Sequence, residues 1–246
     1  MKKYVLLTYG LVCAAGIYAQ TKQGTIVYER KIDVHRHMQD EQMKAMVPQF
    51  QTANYDLVFK DSITVYKAAP KDDAPDPFDN GGGGGAHIVM RFNGPGDDGV
   101  LYKNFGSNQQ LQESTLDDKK YIVTDSIKQP QWKLADETQT ILNHVCKKAT
   151  TTTERGSNVV AWYTEDIQVP AGPDRFCGLP GAILKIDIDS GSVVFTATDI
   201  QPKADTKDLK APTSGKLITQ ADFQKKMDEV LGPADSKGKR IITKQN

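Results

Sequence analysis

His35, Arg36 and His37 put two imidazoles two residues apart. On an extended strand such positions share one face, so both rings could chelate a single metal ion. A third ligand is missing locally, and His87, His144 or a carboxylate would have to supply it from elsewhere. Without it, two surface histidines at a strand end are the simpler reading. Asp72, Asp73, Asp76, Asp79 and the Asp97–Asp98 pair offer oxygen ligands, but not at the spacing of known calcium loops. The glycines from Gly81 to Gly85 lack the Gly-Lys-Ser/Thr and the helix that a phosphate loop needs. No GxSxG elbow, no HExxH and no evident Ser-His-Asp context occurs. The sequence therefore supplies no catalytic set. The only cofactor it raises is a metal ion at His35 and His37.

Cys146 and Cys177 are the remaining reactive residues once an N-terminal leader is set aside. Lys2 and Lys3 precede an uncharged, mostly apolar stretch from Tyr4 to Ile17, and Ala19 precedes the polar Gln20. This is the pattern of a secretory signal with cleavage after Ala19, and its apolar run is too short for a spanning helix. A lipoprotein anchor at Cys13 is the rival, weakened by the absence of the usual residues before that cysteine. An exported chain with two cysteines is expected to pair them. A Cys146–Cys177 bridge would restrict the unfolded chain by roughly 3.5 kcal/mol. The expected location is the periplasm, the outer-membrane periphery or the medium, with no transmembrane segment.

After residue 19 about 227 of the 246 residues remain, enough for one domain with a sizeable core. Lysine and arginine number 31 and so do aspartate and glutamate; loss of Lys2 and Lys3 leaves 29 against 31, a balance of −2. That gives no footprint for nucleic acid. The expected layout is a signal peptide over 1–19, a single β-rich domain over 20–233 and a partly disordered tail over 234–246. A flexible Gly/Asp-rich loop is expected over 68–98, where the composition cannot offset the entropy of ordering.

The elements that would position these groups are mainly strands. Ile26, Tyr28, Arg30 and Ile32 alternate with Val27, Glu29, Lys31 and Asp33. Met43, Met46, Val47 and Phe50 lie at helical spacing. A hairpin is expected over 54–67 about Lys60–Asp61, and short strands over 87–92, 99–103, 109–115, 120–126, 132–134, 140–150 and 159–164. A last hairpin crosses Asp189-Ser190-Gly191. Thr219 can cap a helix that Gly232-Pro233 stops. The fold class is mainly β (α+β): one curved or partly closed antiparallel sheet with about two helices.

One stretch is unlike the rest. It reads Ala161-Trp162-Tyr163-Thr164, then Gly172-Pro173, Arg175 and Phe176-Cys177-Gly178-Leu179-Pro180-Gly181-Ala182-Ile183-Leu184. Together with Cys146-Lys147-Lys148-Ala149 upstream, it resembles the signature of the GLPGLI family, exported proteins found mainly in Bacteroidetes. Residues 143–188 carry the resemblance, and Ala182 stands where that family usually has Leu. The resemblance implies an envelope location and a role beside outer-membrane proteins, and it supplies no catalytic residues. In physical terms Gly178 and Gly181 permit angles closed to other residues and Pro180 fixes φ, which makes a rigid corner. The functional alternative is a binding lip built from Trp162, Tyr163, Arg175 and the glycine-rich turn.

Two functions then compete. One is a non-enzymatic envelope protein that binds an outer-membrane partner or an apolar ligand. It expects an apolar concave face drawn from Trp162, Phe195, Tyr121 and Val123. The alternative is a metal-binding or metal-dependent hydrolytic protein using His35 and His37.

Overall fold

The computed structural model describes residues 21–70, 99–205 and 207–232. The expected signal peptide, the strand at 87–92, nearly all of the Gly/Asp-rich loop and the C-terminal tail lie outside the described residues.

The described residues form twelve strands in one sheet. A first meander comprises β1 (Gln23–Asp33), β2 (Phe50–Lys60), β3 (Ile63–Ala68), β4 (Leu101–Asn104), β5 (Gln109–Leu116) and β6 (Lys119–Ser126). A second comprises β7 (Lys133–Ile141), β8 (His144–Thr152), β9 (Asn158–Thr164), β10 (Ala182–Ile188) and β11 (Val193–Gln201). The meanders join where β1 pairs antiparallel with β11, with a bulge at Val27/Tyr28. A short β12 (Lys216–Thr219) then runs parallel to β6 and forms one end of the sheet. The expected mainly β class therefore holds. The strand order is open, with β12 at one end and β7 at the other.

Alternation in β1 follows the pattern read from its residues: Ile26, Tyr28, Arg30 and Ile32 are buried. Two of the shorter elements differ from expectation. Val34–His37 winds into a single 3-10 turn instead of prolonging β1. The apolar spacing around Met43 yields only the six-residue α1 (Glu41–Met46), capped by Asp40, which buries no residue and leaves Met46 83% exposed. Pro48 and the early start of β2 cut it short. The expected strand over 140–150 is instead divided by a turn at Leu142 and Asn143, both at positive φ, between β7 and β8.

The second helix, α2 (Gln220–Leu231), is capped as expected: Thr219 Oγ1 accepts from the Asp222 amide at 3.1 Å, and Gly232 follows at φ 78°. It packs Phe223 against Tyr121, Val123 and Leu116. Among the described residues no helix is long and apolar enough to cross a membrane.

Two larger clusters form the core. One gathers Tyr28, Tyr55, Leu57, Phe59, Tyr66 and Leu101 with Cys146, Ala171, Ala182 and Leu184. The other gathers Ala161, Tyr163, Leu179, Ile183, Ile186 and Phe195, with Trp132 and Phe176 packed against it. The chain between β9 and β10, residues 165–181, contributes to both. The four residues proposed for an apolar face do not share one cluster. Trp162 packs on the first cluster, Phe195 sits in the second, and Tyr121 and Val123 sit in the third.

Candidate functional site: the 170–184 corner and the charges beneath it

Between β9 and β10 the chain makes a corner held by its own backbone. Gly172 N–H donates to Phe176 O, Gly178 N–H to Pro170 O, Ala182 N–H to Ile167 O and Ile183 N–H to Ala171 O, at 2.9–3.1 Å. Two glycines are required by close approach. A Cβ on Gly181 would lie 2.0 Å from Thr164 O, and one on Gly172 2.6 Å from Ile183 Cβ. Trp132 Nε1 ties the corner to the preceding segment by donating to Cys177 O at 2.9 Å, and its ring meets Phe176. Leu179 and Ile183 are core plugs, as expected. Ala182 is fully buried in the first cluster. Ala182→Leu should therefore overpack the site and lower stability by about 1–3 kcal/mol, read as a fall in the urea midpoint with unchanged slope.

The expected disulfide is absent: Cys146 and Cys177 are both free and buried. They occupy separate environments. The Cys146 thiol lies in the first cluster and donates to His144 O, while the Cys177 thiol donates to Lys128 O, each at 3.6 Å. Burial pushes the Cys146 thiol up to about 11 and raises that of Cys177 as well. Neither is an activated nucleophile. His144 Nδ1 lies 2.9 Å from Asp166 Oδ2, which sets that pair beside the Cys146 strand position. The sulfur is nevertheless committed to the His144 carbonyl and is sealed from solvent.

The histidine pair also departs from expectation. His35 and His37 lie in the 3-10 turn, so the strand geometry that would have set them on one face does not apply. His35 Nε2 is 2.9 Å from Val47 O, which makes that nitrogen a donor to a carbonyl. Among the described residues no group of three His, Cys, Asp or Glu side chains is placed to hold a metal ion.

The binding-lip residues separate. Tyr163 is core, Trp162 is half-buried, and Arg175 is exposed with Nη2 donating to Gln112 Oε1 at 2.8 Å. Under the corner lies a group of charges that the sequence reading did not single out. Lys103 is 2% exposed and Arg30 9%. Lys103 Nζ donates to the main-chain oxygen of Asp174 at 3.3 Å. The Arg30 guanidinium sits 4.9 Å above the Tyr55 ring, and Tyr55 stacks on Tyr66 with centroids 5.2 Å apart. The Asp174 carboxyl is buried among them, although its residue is partly exposed. Burial raises the Asp174 carboxyl despite Arg175, Lys103 and Arg30, and burial lowers the Lys103 amine. Burial and then Asp174 push the Tyr66 hydroxyl upward. Desolvation thus outweighs attraction in this group. Alternation in β1 and in Leu101-Tyr102-Lys103 places Arg30 and Lys103 inward, but a sequence gives no sign that a charge at such a position stays buried.

Residues 98–229 match the family model for the N-terminal domain of N-glycanase peptide proteins. Two solved structures of PNGF-II, in different crystal forms, share the fold. They are 17% and 18% identical, each with a TM-score of 0.54 over 85% of this chain. The chain covers only 33% and 34% of those two proteins. A search of curated proteins gave no match. The family model spans more than half of the chain, so this protein belongs to the family of N-glycanase N-terminal domains.

Proposed function

We propose that this is an exported cell-envelope protein of the GLPGLI type that acts as a binding module and not as an enzyme. The observation that carries this reading is the sealing of its reactive groups. Cys146, Cys177, Lys103 and the Asp174 carboxyl all lie buried beneath or beside the corner, where no substrate bond could reach them. The resemblance over 143–188 and the basic-apolar leader support the envelope location. The matched family is described as one domain of an N-glycanase and not as the whole enzyme, which also favours an accessory binding role. An N-glycosylated peptide is accordingly the first ligand class to try beside an outer-membrane partner.

The mature chain should be recovered from the envelope fraction with Gln20 at its N-terminus. After cross-linking it should carry a reproducible envelope partner. Recovery from the cytosol with residues 1–19 intact would overturn the location. Glycan release by the purified chain alone would overturn the non-enzymatic role.

A further inference from the structure

We propose that His35, Met43 and Met46 form a binding site for a soft monovalent metal ion of the copper(I) class. The site is separate from the 170–184 corner and does not depend on the binding-module reading. It starts from a helix with no packing role. α1 buries no residue, yet it carries Met43 and Met46, and Met46 is 83% exposed. With Met38, half-buried just ahead of the helix, they make three of the protein's six methionines within nine residues. So short a helix does not persist in water on propensity alone. Here Asp40 holds it, its carboxylate accepting from the amides of Gln42 and Met43 at 2.8 and 3.3 Å. Met43 and Met46 are three residues apart, so their side chains stand on one face of the helix.

His35 is brought to the end of that helix. Val47, the residue after Met46, is the C-cap of α1, and its carbonyl takes the hydrogen bond from His35 Nε2 at 2.9 Å. Just beyond, Val34 N–H donates to Gln49 O at 2.9 Å, so the two ends of this loop run side by side. A neutral imidazole that donates from Nε2 carries its lone pair on Nδ1. Among the described residues that Nδ1 has no hydrogen-bond partner. One ring nitrogen committed to a backbone carbonyl, with the other left as an acceptor, is how ligating histidines are held and oriented. Methionine side chains are unbranched and flexible, which lets both sulfurs turn toward the ring. Thioethers select copper(I), and an imidazole suits copper as well. Among the described residues no three His, Cys, Asp or Glu side chains gather, so zinc and calcium lack their usual ligands here. The neighbouring cations are committed elsewhere. Arg36 grips Asp189 O and Ser190 O at 2.7 and 2.8 Å, and Lys44 pairs with Glu41 at 2.6 Å.

The test titrates the mature chain with silver(I), a redox-inert substitute for copper(I), and with copper(I) itself against a chromophoric chelator without oxygen. Native mass spectrometry should count a single silver ion per chain. With methyl-labelled methionine, the Met43 and Met46 methyl signals should shift on adding silver, and that of Met227 on α2 should not. Met43→Leu combined with Met46→Leu removes both sulfurs while keeping size and helix propensity. Because neither residue is buried, this variant should give the circular dichroism of the wild type and bind copper(I) about 100-fold more weakly. His35→Gln should weaken binding by about 10-fold. Equal silver binding by the wild type and the double variant would assign the metal to the buried thiols of Cys146 and Cys177 and overturn the site. So would the absence of stoichiometric silver, or displacement of silver by an equal concentration of zinc(II).

Discussion

Gly181→Ala is expected to abolish stable folding, at a cost of about 4 kcal/mol or more. The new methyl would stand 2.0 Å from Thr164 O, 2.8 Å from Thr164 C and 3.0 Å from Glu165 Cα. All three are main-chain atoms, so no rotamer change relieves the clash. The residue is also at φ 150°, which a side chain tolerates poorly. Moving aside would break the Gly181–Leu179 and Ala182–Ile167 backbone bonds that shape the corner. Gly156 gives the matched control. It is at φ 85° with nothing within 4 Å of a built Cβ, so Gly156→Ala should cost only about 1–2 kcal/mol of backbone strain. Urea unfolding followed by far-UV circular dichroism compares the two. Equal losses would mean that the corner yields and that Gly181 is not a packing requirement.

Ile183→Ala should be the next most damaging single change, at about 2–5 kcal/mol. Ile183 is fully buried in the second cluster, while its backbone is held at both ends. Its amide donates to Ala171 O at 3.0 Å, and its carbonyl accepts from the Tyr28 hydroxyl at 2.7 Å. The backbone therefore cannot collapse into the space that a truncated side chain leaves. Leu184, its neighbour in sequence, faces the other side of the strand and belongs to the first cluster with Ala182, while the register shift between Ile183 and Lys185 returns Ile186 to the second. Leu184→Ala should cost a similar amount, and the two losses should add to within about 0.5 kcal/mol. Strong non-additivity in a double-mutant cycle would show that the clusters behave as one. Leu217→Ala, at a residue 64% exposed, should move stability by no more than about 0.5 kcal/mol.

What could be read from residues and what could not divides along physical lines. Regular alternation settled β1, because Ile26, Tyr28, Arg30 and Ile32 fall on one face and Val27, Glu29, Lys31 and Asp33 on the other. The β10–β11 hairpin was legible from Asp189-Ser190-Gly191, and indeed Asp189, Ser190 and Gly191 all take positive φ. The cap at Thr219 was legible because side chain and backbone lie only three residues apart. The turn at Leu142–Asn143 was not, since leucine rarely adopts φ 49° and nothing local announces it. Nor was β12: four residues, three of them exposed, whose place depends on a parallel partner nearly a hundred residues earlier. The methionine spacing misled because amphipathic periodicity does not guarantee a surface to pack on. At the corner, the turn and its core plugs were visible in the glycines, Pro180, Leu179 and Ile183. The cysteine pairing was inferred from compartment and count, which say nothing of where two sulfurs come to rest. The buried Lys103 and Asp174 were hidden because charge ordinarily signals solvent.

The junction of β1 with β11 sets how the molecule must assemble. Within each meander, strands that follow one another along the chain pair side by side in the sheet, so each can zip onto the last before any more distant pairing. Setting Thr25 opposite Gln201 is different in kind. If it came first, it would enclose most of the polypeptide in one ring, at an entropic cost of roughly 4–5 kcal/mol in the length-dependent part alone. Zipping the halves beforehand shortens that ring to two preformed bodies meeting along one edge each. Until they meet, both edges stand bare, so a half-assembled chain carries two sticky borders that the finished protein hides from its neighbours.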